Sequence, residues 1–190
     1  MERNRLEAFS DGVIAIIITI LVLELNIPKE SNWAALFPVA PVFGVYILSF
    51  IYLGIYWNNH HHMFQTVKKI NGKILWANLN FLFWLSTIPF VTGWMGESHF
   101  AKAPTTLYGI VLLLCALSYT ILQSVIIKKQ GEESLLLKAI KKDSKGKATA
   151  LLYLFGIVLS FFIPWVSGVI YVLVAVIWLI PDKRIEKVFN

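Results

Sequence analysis

Long apolar runs separated by short polar stretches dominate this chain. We place the runs at residues 6–26, 33–65, 73–95, 104–127, 148–163 and 165–180. A helix needs about 20 apolar residues to cross a hydrocarbon core of roughly 30 Å. The pattern predicts an all-α integral membrane protein with six transmembrane helices. No long linker interrupts it, so we expect one domain over residues 1–190.

Composition agrees with a membrane protein. Of 190 residues, 57% are hydrophobic and 15% are charged, and the mean hydropathy is +0.69. A soluble domain of this length carries far more charge. The single cysteine, Cys115, excludes a disulfide within the chain and any multi-cysteine metal site.

The position of the positive charges predicts the topology. The chain has 17 lysines and arginines, and all but Lys29 and Lys102, hence 15, fall on one side of the six-helix arrangement. Positive charge accumulates in cytoplasmic loops, so both termini are expected in the cytoplasm. The net charge of +6 therefore indicates orientation in a membrane, and we expect no nucleic-acid partner. Lysine-rich residues 128–147 suit either an amphipathic helix on the inner membrane surface or a solvated loop.

The first run, FSDGVIAIIITILVLEL, has only twelve apolar residues between Asp11 and Glu24. Such a helix is too short to face lipid alone and is expected inside a bundle or beside water. Successive residues turn by about 100° on a helix, which groups Ile16, Thr19, Ile20 and Leu23 on one face. Taken alone, such a stripe is more often packing than function.

Asp11 lies roughly 140° from that face by the same rule. A buried carboxylate requires donors, and several lie at its depth on the second and third helices. We expect a polar clamp in which Asp11 and Ser10 accept hydrogen bonds from these donors, with Trp57 packed inside the bundle. The alternative donors are one histidine of the triplet His60, His61 and His62, the indole of Trp76, or the amide of Asn78.

The three histidines allow other roles. Neighbouring residues fan around a helix, so they cannot all bind one metal ion, but one of them with Asp11 and a further ligand could hold zinc. Histidine also titrates near neutral pH and could sense protons. No nucleophile elbow, H-E-x-x-H motif or phosphate loop occurs, so the chain is not expected to be an enzyme.

Arg5, Phe9, Ser10 and Asp11 read R-x-x-x-F-S-D and are followed by a GV-AI--T-LVLE pattern. This string resembles the signature of the bacterial relatives of transmembrane protein 175, the lysosomal potassium channel family. The resemblance implies a homotetramer of six-helix subunits in the bacterial inner membrane, without a re-entrant pore loop. It also implies that the R-x-x-x-F-S-D residues stabilise the first helix from behind.

The same resemblance implies a pore lined by the first helix. Its register places hydrophobic constriction rings at Ile16, Ile20 and Leu23, with Thr19 as a hydroxyl layer. Permeant potassium would pass at Ile16 and Thr19, and no cofactor or structural metal is expected. Glu24 could concentrate cations at the outer mouth or form a structural contact.

The function expected from these features is a potassium-preferring cation channel. The alternative is a proton-coupled secondary transporter that uses Asp11 and the cluster His60–His62 as a titrating relay.

Overall fold

The computed structural model describes residues 2–67, 69–131, 134, 136–137 and 144–179, which form helices and turns without a β-strand. The all-α prediction is confirmed. Nine of the 20 residues of the predicted basic stretch 128–147 lie outside the described residues. Within the described residues we number seven α-helices in chain order as α1 Arg3–Leu21, α2 Ala40–Gln65, α3 Gly72–Ser86, α4 Ile88–Glu97, α5 Lys102–Gln130, α6 Ser144–Ser160 and α7 Pro164–Leu179.

Within the described residues, four helical segments are long and apolar enough to cross a membrane. The first two are α1 and α2, each extended by a 3-10 turn, the third is α3 with α4, and the fourth is α5. Their bounds are Arg3–Glu24, Trp33–Gln65, Gly72–Glu97 and Lys102–Gln130. The apolar helix Pro164–Leu179 is shorter, with 16 residues, and forms a hairpin with the 17-residue α6.

The third predicted run, 73–95, contains a helix boundary that its hydropathy does not reveal. The helix stops at Ser86, passes Thr87 and restarts at Ile88. Pro89 has no N–H group and its ring crowds the preceding turn, so α3 cannot continue unbroken into α4. A proline also separates the last two predicted runs, because Pro164 begins α7.

Local side chains begin α3 and turn the chain after α4. Asn71 caps α3 by accepting a 3.0 Å hydrogen bond from the backbone N–H of Ile74. His99 and Phe100 take left-handed backbone conformations, with φ of 48° and 60°. That conformation ends a helix abruptly, and α5 begins two residues later, at Lys102.

The subunit is organised around α1 and α5. Helix α1 packs against α2, α3 and α4, while α5 packs against α3, α4, α6 and α7. Tyr171 on α7 fills a space between α5 and α6, because Gly109 and Gly156 have no side chain there and a Cβ at either would overlap its ring or hydroxyl. The buried side of α1 consists of Leu6, Ser10, Ile14, Ile17 and Leu21.

Candidate functional site

Helix α1 has one buried face and one open face. Ile14, Ile17 and Leu21 are buried against the bundle. On the opposite side, Ile16 is 59% exposed and Leu23 is 77% exposed. The four residues that the sequence groups on one face are all exposed: Ile16, Thr19, Ile20 and Leu23.

Thr19 is the polar member of this open face. Its hydroxyl lies 2.8 Å from the carbonyl oxygen of Ala15 and 2.9 Å from that of Ile16. The single O–H proton is donated back to the helix itself. The hydroxyl oxygen keeps its lone pairs on the exposed side, where a cation or water can contact them.

An open groove of about 530 Å³ runs along the edge of this face, between α1 and the α3–α4 break. Its walls are apolar except for Glu24 and Ser86. They consist of Val13, Ile16, Ile17, Ile20 and Glu24 from α1 and its extension, and Ser86, Pro89 and Phe90 from the break.

Two residues of the R-x-x-x-F-S-D motif do not lie behind the helix. Arg5 is exposed, and Phe9 is 50% exposed. Residues 5, 9, 12 and 16 share a face by helical spacing, so Arg5 and Phe9 continue the open stripe. Arg5 and Phe9 thus lie on the side where helical spacing from Ile16 places them, whereas Ser10 is fully buried on the side that packs against the bundle.

Ser10 belongs to a buried hydrogen-bond chain that joins three helices. Asn78 on α3 donates from Nδ2 to Ser10 Oγ at 2.9 Å, and Ser10 donates to the Leu6 carbonyl at 2.8 Å. Asn78 Oδ1 lies 2.8 Å from His60 Nε2 on α2. Because this amide oxygen can only accept, His60 carries its proton on Nε2. The hydrogen bonds of this chain are therefore donated in one direction, from His60 on α2 to Asn78 on α3 and from Asn78 to Ser10 on α1.

Asp11 has a different donor from those expected. The indole Nε1 of Trp57 donates to Asp11 Oδ1 at 3.1 Å. Trp57 is 47% exposed, so its expected burial inside the bundle is also wrong. Trp57 lies one turn before His61 on the same face of α2, and the two rings stack. From this position the long indole side chain reaches the Asp11 carboxylate.

His61 makes a second contact between α2 and α1. Its Nδ1 lies 2.8 Å from Glu7 Oε1, and its Nε2 lies 2.9 Å from the Gln65 amide nitrogen. The amide nitrogen only donates, so His61 accepts at Nε2 and donates from Nδ1 to Glu7. Glu7 was missed in the sequence, although residues 7, 10, 11 and 14 share a helix face. His62 is half-buried, with its ring beside that of His61.

Trp76 lies outside this network. Its side chain is 74% exposed on the outer face of α3, whereas Asn78, two residues later, points inward. Two residues on a helix differ by about 200° in direction, so both could not serve the same anchor. The expected role of Trp76 in the clamp is wrong.

At the other end of α1, Glu24 lies against α4. Its carboxylate occupies the space above Gly93, where a Cβ would overlap it. Nearby, Asn26 Nδ2 donates to Glu97 Oε1 at 2.7 Å. Glu24 and Glu97 thus lie near the C-terminal ends of the α1 and α4 segments.

The described residues contain no group of three or more His, Cys, Asp or Glu side chains placed to hold a metal ion. The zinc site considered for one histidine and Asp11 has no third such ligand among them. The histidine nitrogens described above are instead engaged by Asn78, Glu7 and Gln65.

Comparisons with known proteins agree on one family. Residues 5–89 match the family model described as endosomal/lysosomal potassium channel TMEM175. A potassium channel of Chryseobacterium sp. (strain P1-3) is 60% identical over 187 residues, covering 98% of this chain and 97% of that protein. The human endosomal/lysosomal proton channel TMEM175 is 34% identical over 116 residues, covering 55% of this chain and 23% of that protein.

The fold agrees as well. The crystal structure of a lysosomal potassium-selective channel TMEM175 homolog from Chamaesiphon minutus matches with a TM-score of 0.85 and 27% identity, over 96% of this chain and 98% of that one. Together with the apolar helices, these similarities identify a membrane protein of the ion-channel class and not an enzyme. The chain belongs to the TMEM175 family of potassium channels.

Proposed function

We propose that this chain forms a homotetrameric, potassium-preferring cation channel whose pore is lined by α1. One observation carries the proposal: the stripe of Ile16, Thr19, Ile20 and Leu23 is open, while the opposite face of the same helix is fully packed. A helix with neighbours on one side has its other side free to face a symmetry axis.

The open stripe differs from an ordinary lipid-facing surface. It begins with a charged residue, Arg5, continues past Gly12 and includes the Thr19 hydroxyl. Four copies around an axis would give aliphatic rings separated by a ring of hydroxyl oxygens. Such rings gate by losing water from the constriction.

The same chemistry sets the expected selectivity. Aliphatic rings offer potassium no cage of carbonyl oxygens like those of other potassium channels. Potassium gives up its hydration water more readily than sodium, so a narrow apolar ring beside Thr19 hydroxyls favours potassium modestly. We place permeant potassium at Ile16 and Thr19, with no cofactor and no structural metal.

The proposed topology has six membrane crossings, cytoplasmic termini and no re-entrant pore loop. Four crossings come from segments that are long and apolar enough to span a membrane, namely those of α1, α2, α3–α4 and α5. The α6–α7 hairpin supplies the last two crossings. Each of its helices is about 25 Å long at 1.5 Å per residue, which requires the bilayer to thin or the ends to project slightly. Fifteen of 17 positive charges then lie inside.

The names of the relatives support ion conduction and differ in the ion. The Chryseobacterium relative is named a potassium channel, and the human relative a proton channel. A proton-coupled transporter that uses Asp11 and His60–His62 remains the alternative. The anchor geometry favours the channel, because Asp11 accepts from Trp57 and His60 donates into a chain with a fixed direction.

The decisive experiment measures potassium flux from vesicles that contain the purified protein. We expect Ile16→Asn to raise the flux several-fold and to weaken the preference for potassium over sodium, because it hydrates the constriction. Ile121→Asn is the matched control, since Ile121 is 51% exposed on the outer side of α5. It should leave both quantities unchanged.

Equal flux from the parent and the Ile16 variant would show that α1 does not line the pore. The transporter is tested separately with Asp11→Asn. A carrier would lose saturable, pH-driven exchange while the protein stays assembled, whereas the channel reading predicts a weakened assembly with passive flux per folded oligomer retained.

A further inference from the structure

The inner end of α3 carries a surface that neither the pore nor the polar anchor uses. Lys69 precedes the helix and Lys73 lies in its first turn, and both are exposed. Trp76 follows three residues later on the same face. Lys73 thus lies about one helical turn before an exposed indole, and Lys69 lies just before the same helix.

The two lysines have no acidic partner among the described residues. Within that part of the chain, Glu7 pairs with Arg3 and with His61. The end of α3 is itself already capped by Asn71. The local positive charge therefore resides on the lysine ammonium groups and is available to an anion from outside.

Above Trp76, the same side of α3 is apolar and exposed. Leu79 and Phe83 follow at helical spacing and are exposed. The face formed by Lys69, Lys73, Trp76, Leu79 and Phe83, here called the α3 face, thus changes from charged to aromatic to apolar along the helix axis. Tryptophan is enriched at the level of lipid head groups.

A second pair of lysines lies near the connection between α2 and α3. Lys128 and Lys129 are exposed in the last turn of α5. The next residue, Gln130, donates from Nε2 to the Thr66 carbonyl at 2.7 Å. This bond holds the end of α5 against the α2–α3 connection, so positive charge from two helices gathers at one corner of the subunit.

We propose that the α3 face binds an anionic phospholipid of the inner leaflet. The phosphate group contacts the ammonium groups of Lys69 and Lys73, and an acyl chain follows Trp76, Leu79 and Phe83. Juxtamembrane lysines attract anionic lipids by about 1 kcal/mol each. Charge complementarity supports this occupant, because a negative phosphate matches the lysine ammonium groups at one end of the α3 face and an acyl chain matches the apolar side chains beyond Trp76.

The test uses the purified full-length protein in neutral detergent and follows thermal unfolding. Phosphatidylglycerol, phosphatidylcholine and inorganic phosphate are added at equal phosphate concentration. Phosphatidylglycerol should raise the Tm by several degrees more than the other two. The double variant Lys69→Gln/Lys73→Gln should lose most of that difference, while Lys69→Arg/Lys73→Arg should keep it.

The matched control is Lys29→Gln/Lys102→Gln, which removes two exposed positive charges from the other predicted side of the membrane. It should keep the full phosphatidylglycerol effect. An equal loss in both double glutamine variants would overturn the site, because the effect would then depend on net charge alone. An equal effect of inorganic phosphate would assign the lysines to a free-anion site instead.

Fluorescence tests the apolar part of the site. Phosphatidylglycerol brominated near the head group should quench the wild-type protein more than the Trp76→Phe variant, and brominated phosphatidylcholine should quench both equally. Absence of Trp76 quenching by either lipid would mean that another copy of the chain covers the α3 face, contrary to the proposal. None of these measurements depends on ion conduction.

Discussion

Replacing Asn78 by alanine should destabilise the subunit more than any other single change in the polar anchor. Asn78 is fully buried and makes two bonds between helices, one with His60 at 2.8 Å and one with Ser10 at 2.9 Å. Alanine can make neither bond. It also leaves the His60 Nε2 proton without an acceptor in a water-free position.

The magnitude follows from these two losses. Hydrogen bonds between membrane helices contribute about 0.6 kcal/mol on average and up to about 1.7 kcal/mol each. A buried donor left unpaired costs about 1–3 kcal/mol. Because the two estimates overlap in part, we expect Asn78→Ala to lower the free energy of unfolding by about 2–4 kcal/mol.

Asn80→Ala is the matched control, since it makes the same chemical change two residues away on the exposed side of α3. It should change the free energy of unfolding by about 0.5 kcal/mol or less. The assay is reversible unfolding of the purified protein in mixed micelles with increasing dodecyl sulfate. A double-mutant cycle of Asn78→Ala with Ser10→Ala should give a coupling energy of about 0.6–1.7 kcal/mol.

Equally mild effects of Asn78→Ala and Asn80→Ala would contradict a stabilising role of the two Asn78 bonds. A cycle without coupling would show that Asn78 acts through packing and not through its bond to Ser10.

Three further predictions concern packing and the rest of the anchor. Gly109→Ala should cost about 1–3 kcal/mol in unfolding free energy by overlapping Tyr171, while Gly54→Ala, with open space around it, should be neutral or stabilising. The buried thiol of Cys115 should react with a maleimide only as fast as the protein unfolds; rapid labelling of the native protein would contradict its burial. Trp57→Phe should lower the free energy of unfolding by about 1 kcal/mol, because it removes the 3.1 Å hydrogen bond to Asp11. The same micelle titration measures this change, and an unchanged unfolding midpoint would contradict a stabilising role of that bond.

The open face of α1 could be predicted from sequence because helical periodicity is a property of the chain itself. Ile16, Ile20 and Leu23 repeat at three- and four-residue spacing, and the structure leaves all three exposed. Periodicity gives a direction around the helix axis. It does not say whether that direction leads to lipid, to another subunit or to a pore, which is why the pore itself stays a proposal.

The donor to Asp11 could not be predicted in the same way. Spacing along α2 places Trp57 and His61 on one face, but the choice between them depends on side-chain length and on which carboxylate lies opposite. The indole reaches Asp11, and the histidine one turn further inward meets Glu7. A carboxylate at position 7, one turn from Asp11, was the available signal.

The break at Thr87 was hidden for a different reason. Average hydropathy does not change between α3 and α4, so the run looks continuous. Pro89 was the visible signal, since proline is tolerated in the first turn of a helix and disrupts its interior. The limits of 73–95 were thus nearly correct while the course of the backbone within them was not.

The anchor of α1 has a consequence for how such a protein can diversify. The polar bonds described here that fasten α1 to α2 and α3 involve Glu7, Ser10 and Asp11, whereas the open stripe, which runs from Arg5 to Leu23, lies on the other side of the helix. Substitutions in the stripe therefore remove no bond that holds the subunit together. Evolution or protein engineering can rewrite the chemistry of that surface while the scaffold beneath it keeps its shape.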